Sequence, residues 1–114
     1  MMNVNTSVGI PVSVNLMKNY FHNLVNQFFK ILPMRENDES SVITYMQSLQ
    51  TELLGCKDLI PAIKENSLYL TLLSILQYLI DNPDCPIATV KREVFRAISV
   101  CNKLKSVYAS VEVL

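Results

Sequence analysis

The chain has 114 residues, half of them apolar and 18% charged, with ten basic and ten acidic side chains and a formal net charge of zero. That length holds one domain with one core, and so apolar a composition excludes a disordered chain. Neutrality also sets it apart from dedicated nucleic-acid binders, whose positive total releases counterions on binding.

Two glycines in the whole chain are too few for the positive-φ turns of a sheet protein. The expected class is therefore all-α, an up-down helical bundle of four main helices plus one short helix, punctuated by Pro11, Pro33, Pro61, Pro83 and Pro86. Residues 1–14 have no Lys or Arg and no unbroken apolar run, so no secretory signal is expected. They read as an arm, either flexible or extended along a neighbouring subunit. The bundle itself is expected over residues 15–110, with a short tail over 111–114.

The first helix is predicted over residues 15–32, ended by Pro33. Met17, Tyr20, Phe21, Leu24, Phe28 and Ile31 share one face, and Val25, Phe29 and Leu32 widen it beyond a single stripe. A helix this apolar requires neighbours on two sides, one of which could belong to another chain. "PMRENDES" reads as a loop carrying Glu36, Asp38 and Glu39. A second helix follows to about residue 54, on the stripe Val42, Tyr45, Met46, Leu49, Leu53 and Cys56, with Gly55 as a left-handed cap. A short helix is predicted over 58–65 and a new cap at Asn66-Ser67. Residues 68–80 are apolar nearly all round, the pattern of the most buried helix. At 13 residues that block is short of the roughly 20 a membrane span needs, so a soluble, cytoplasmic protein with no membrane partner is expected. "DNPDCP" turns the chain into the last helix, over about residues 86–110, with a core face of Val90, Val94, Ala97, Ile98, Cys101, Leu104 and Tyr108.

That last helix concentrates positive charge. Residues 1–85 carry five basic and eight acidic side chains, a net of −3, and residues 86–114 carry five and two, a net of +3. On a helix, Arg92, Arg96 and Lys103 fall in one narrow sector opposite the Val94/Ile98/Cys101 seam, with Lys91 and Lys105 flanking the core face. Three readings follow, in order of preference. The stripe is a solvated face suited to the helix dipole, it meets acid such as the Glu36/Asp38/Glu39 loop of another copy, or it meets a phosphate backbone. No aromatic residue is expected among the charges on that face. A winged helix-turn-helix is excluded, because one uninterrupted helical pattern stands where that motif needs two short helices.

Catalytic chemistry is thin. His22 is the sole histidine and is expected at the rim of the first helix. Cys56, Cys85 and Cys101 lack C-x-x-C spacing and read as reduced thiols, Cys85 in its turn being the most exposed. The carboxylates fall on loops, and no P-loop, G-x-G-x-x-G or G-x-S-x-G occurs. The tyrosines read as core rings with wet hydroxyls. No catalytic, cofactor-binding or metal residue is assigned, and no cofactor is expected.

"NQFFKILPMRE", "LQTELLGC", "LLSILQYLIDNP" and "VKREVFRAISVCNKL" together resemble short all-helical proteins of low-GC Gram-positive bacteria associated with prophages and other mobile elements. The resemblance spans about residues 19–108 and implies a fold but no activity. More distantly, the helix order is similar to small four-helix accessory proteins that assemble into rings and assist reverse transcriptases. Those are strongly basic, whereas this chain is neutral. The expected function is a non-enzymatic protein–protein contact, with self-association through Val25 and Phe29 and with Arg92, Arg96 and Lys103 facing Glu36, Asp38 and Glu39. Its rival is a nucleic-acid accessory module using the same basic helix.

Overall fold

The computed structural model describes the backbone of residues 3–4, 12–59 and 66–113, and the side chains of residues 16–58 and 66–107. These residues form a small all-α bundle. Asn3–Val4 (β1) pairs antiparallel with Val12–Ser13 (β2) in the register Asn3↔Ser13 and Val4↔Val12, which folds this part of the arm back on itself. The helices are α1 (Val14–Phe29), α2 (Ile31–Glu36), α3 (Val42–Leu59), α4 (Ser67–Asp81) and α5 (Ile87–Val113). None among the described residues is long and apolar enough to cross a membrane.

Pro33 interrupts the first helix where a stop was expected. It has no N–H to offer the Phe29 carbonyl, and its ring crowds that carbonyl, so the break falls at Lys30, between α1 and α2. Inside the first turn of α2 the missing donor has no intrahelical partner to lose. The helix therefore restarts and takes Met34, Arg35 and Glu36 with it, which shortens the expected loop. α2 ends in a Schellman pair of hydrogen bonds: the Asp38 N–H donates to the Arg35 carbonyl at 3.1 Å and the Glu39 N–H to the Met34 carbonyl at 2.9 Å. Asp38 takes the left-handed position, at φ 54°, that glycine usually fills.

Gly55 is no cap. α3 runs through it to Leu59, because continuing the helix keeps Cys56 packed against the core in register with Leu49 and Leu53. That packing outweighs the helix penalty of a single glycine, about 1 kcal/mol. The short helix expected over 58–65 lies outside the described residues except at its start, which belongs to α3. The Asn66 cap is present, its Oδ1 accepting from the N–H groups of Leu68 at 2.9 Å and Tyr69 at 3.2 Å.

α4 is less buried than its composition suggests. Tyr69, Leu72, Ile75, Leu76 and Leu79 face the core, while Leu70 and Tyr78 are exposed. The last helix is the hub, packing against α1 most extensively and also against α4 and α2, with α3 lying on α4. It continues to Val113, so residues expected as a tail extend it, and Tyr108 lies beyond the described side chains. Val90, Val94, Ala97, Val100, Cys101 and Leu104 join Phe21, Leu24, Phe28, Leu53 and Leu72 in one core. Tyr69 is wholly buried, and its hydroxyl, expected to be wet, donates to the Leu53 carbonyl at 2.7 Å. Unpaired, that hydroxyl would cost roughly 1–3 kcal/mol.

Arg35 ties two segments about 50 residues apart. Its Nη2 donates to the Cys85 carbonyl at 2.5 Å and its Nη1 to the Pro83 carbonyl, which fastens α2 to the turn between α4 and α5. Arg35→Ala is expected to lower stability by about 1–3 kcal/mol, the range for hydrogen bonds to a charged donor, as read by urea denaturation. Gly55→Ala should act oppositely, because a Cβ there meets nothing within 4 Å and the residue is helical and exposed. A gain of about 0.5–1 kcal/mol, seen as a rise of several degrees in Tm, is the expected result.

Candidate protein-contact surface

α5 packs antiparallel to α1, since Phe29 meets Phe95 near the start of α5 while His22 meets Lys105 well along it. One flank of α1 carries Lys18, His22, Val25 and Phe29, spaced by three or four residues, so these lie along the same side of the helix. The apolar breadth read as surplus is largely satisfied within the chain. Val25 is half-buried against the core and Leu32 is buried in α2. Phe29 is the exception, 41% exposed and set edge-to-face on Phe95 with ring centroids 5.8 Å apart.

Phe95 is the residue that sequence reasoning missed. It is 45% exposed, and it stands on the outer face of α5 beside Arg92 and Arg96, where no aromatic was expected. Its signal was its phase: at 100° per residue it lies out of step with the Val90/Val94/Ala97/Cys101 seam. Phe95 and Lys103 line a shallow hollow of about 400 Å³ with Ile98, Ser99, Asn102 and Ser106. Ile98, expected in the core seam, is half-buried at the edge of this hollow.

The basic stripe is present but uneven. Arg92, Arg96 and Lys103 are all exposed. The Nη1 of Arg96 donates to both carboxylate oxygens of Glu93 at 3.2 Å. Glu93 is buried on a helix, contrary to the expectation that the carboxylates fall on loops, and Arg96 compensates it. Arg92 and Lys103 are thus the cations of the stripe that no carboxylate matches among the described residues.

Glu36, Asp38 and Glu39 are exposed at the end of the bundle where α5 begins, held there by the Arg35 tie. They make no ion pair with Arg92, Arg96 or Lys103 among the described residues. Lys103 lies about 24 Å further along α5, at 1.5 Å per residue.

His22 is exposed, and Lys105 Nζ lies 3.2 Å from its Nδ1. No group of three or more His, Cys, Asp or Glu side chains suited to a metal ion occurs among the described residues. Burial pushes the Cys101 thiol up to about 12 and raises the Cys56 thiol, which opposes formation of the nucleophilic thiolate. Cys85 is half-buried, as is Cys56, whereas Cys101 is fully buried. The hydroxyls of Tyr20 and Tyr69 gather with Cys56 where α1, α3 and α4 meet, and desolvation drives both phenols far up. Set against protein-family models, curated proteins and solved structures, the chain matches none of them.

These upward shifts give stability a defined dependence on alkali. A folded-state pKa above the unfolded value contributes stability that is complete below the unfolded pKa and is lost as pH rises toward the folded one. Denaturation midpoints should therefore hold up to about pH 9, the unfolded thiol value, then fall with Cys101 and more steeply once tyrosines ionise in the unfolded chain near pH 10. Each such group adds at most ~1.4 kcal/mol per pH unit. Tyr20→Phe should flatten the fall above pH 10; a fall of unchanged slope would show that Tyr20 ionises as easily in the folded state.

Proposed function

We propose that the protein acts by non-catalytic contact with protein and associates with itself, the Phe29/Phe95 face of α5 docking the acidic end of another copy. The single observation that carries this reading is the exposed aromatic pair set between Arg92 and Lys103, on a chain that exposes Glu36, Asp38 and Glu39 elsewhere. Removing the two rings from water supplies affinity, and charge sets register and rate of encounter. Two like faces would bring cations against cations, so unlike surfaces must meet, which makes the contact heterologous. A cytoplasmic location and kinship with bacterial mobile-element proteins belong to the same proposal and rest on sequence pattern and resemblance.

One observation favours a second reading. Phe95 gives the basic face an exposed ring, and single-stranded nucleic acid is bound by rings that stack bases beside cations that track phosphates.

Light scattering at low and high salt, with and without a pool of short RNA and DNA, separates the two. The first reading predicts a defined oligomer indifferent to nucleic acid. Phe95→Ser, or Arg92→Glu with Lys103→Glu, should weaken it at least tenfold. Arg96→Gln should cost under threefold, since Glu93 already holds that charge. A monomer whose mass rises only with nucleic acid, and falls back in salt, would transfer the face to the second reading.

A further inference from the structure

A second concave site lies on the other flank of α1. Gln27 of α1 and Lys30 at the break that follows it, with Tyr45, Ser48, Leu49 and Glu52 from α3, line a cleft of about 170 Å³. The α3 residues follow the spacing i, i+3, i+4, i+7, so they form one stripe, and Gln27 and Lys30 lie a turn apart facing it. Leu49, 4% exposed, gives the cleft an apolar floor.

The register of the two helices places its charges. The Tyr45 hydroxyl donates to the Gln27 carbonyl at 2.8 Å, while Tyr20 lies by Cys56 and Glu52 further along α3. The helices therefore run antiparallel here, with Lys30 a turn beyond Gln27 at one end and Glu52, about 10 Å from Tyr45 along the stripe, at the other. Among the described residues neither the Lys30 ammonium nor the Glu52 carboxylate makes an ion pair or a side-chain hydrogen bond. The Gln27 Oε1 is buried without a hydrogen-bond partner. The volume suits a molecule a little larger than benzene, which fills a cavity of about 150 Å³.

Opposite charges at the two ends, an apolar floor between them and room for about seven heavy atoms describe one ligand chemistry. We infer that the α1–α3 cleft binds a small ω-amino acid, its carboxylate at Lys30, its ammonium at Glu52 and its methylene chain over Leu49. This site is separate from the α5 face and independent of the self-association proposed above.

The test is an NMR titration of the full chain with γ-aminobutyrate and ε-aminohexanoate, read at the Leu49 methyls and the Tyr45 ring. Butyrate, butylamine and glycine serve as comparisons. Saturable shifts are expected with the ω-amino acids, and at least tenfold weaker ones with butyrate or butylamine, each lacking one charge. Glycine, whose charges are too close to span the cleft, should be equally weak. Glu52→Gln and Lys30→Met change exposed side chains, so circular dichroism should report an unaltered fold while each weakens binding at least tenfold. No saturable shift at Leu49 and Tyr45, equal binding of glycine, or affinity unchanged in both variants would overturn the assignment.

Discussion

Ala97 is the smallest side chain on the face that α5 turns inward, and with Cys101 it lets the last helix settle deep among α1, α2 and α4. An α5 displaced outward would leave voids along Phe21, Leu24 and Phe28, and voids in a core cost about 24 cal/mol per Å³. Once this seam is occupied, the rest of α5 has no rotational freedom. Glu93 is carried to the edge of the core, which obliges Arg96 to bend back to it. Phe95 is carried to the outside, where its ring meets that of Phe29. Both outward features are consequences of an inward fit.

The break at Lys30 governs the end of the bundle in the same way. Like α1, α2 packs against α5, which brings Arg35 within reach of the Pro83 and Cys85 carbonyls. Those carbonyls lie in a turn and have no helical partner, so a guanidinium with several donors suits them. The same tie leaves Glu36, Asp38 and Glu39 in water, with Asp38 accepting a left-handed backbone so that α3 can follow at once. The exposure of these three carboxylates at the end of the bundle is therefore built into the chain path.

The helices were legible in the sequence because each carries a long apolar period, and the interior of α3 and α5 follows the predicted stripes closely. What misled were single residues whose local tendency competes with tertiary packing. Pro33 and Gly55 are ordinary terminators, yet one falls where a helix can restart and the other inside a helix held by Leu53 and Cys56. Residues 68–80 seemed central by composition, but composition does not reveal which helix touches most others, and α5 holds that place through small side chains. The stripe of Arg92, Arg96 and Lys103 was visible from periodicity alone. Its partners were not: the Glu93 contact depends on how deeply α5 is seated, and the Phe29–Phe95 contact joins positions 66 residues apart. The α1–α3 cleft escaped notice for the same reason, five of its six lining residues coming from two helices whose register no local pattern encodes.

The division of labour on the α5 face follows from magnitudes. Exposed ion pairs contribute at most about 1 kcal/mol and weaken in salt, so Arg92 and Lys103 cannot hold a partner by themselves. The edge-to-face contact between Phe29 and Phe95 is worth roughly 0.5–1.5 kcal/mol to the fold, yet it leaves more than two-fifths of each ring's residue in water. That remaining area is what a partner can still remove from solvent, at about 25 cal/mol per Å². Val25, the other apolar residue on this flank, is half-buried and has less surface left to give. Affinity at this face thus resides in the two rings, and the charges around them determine which surface approaches and in what orientation.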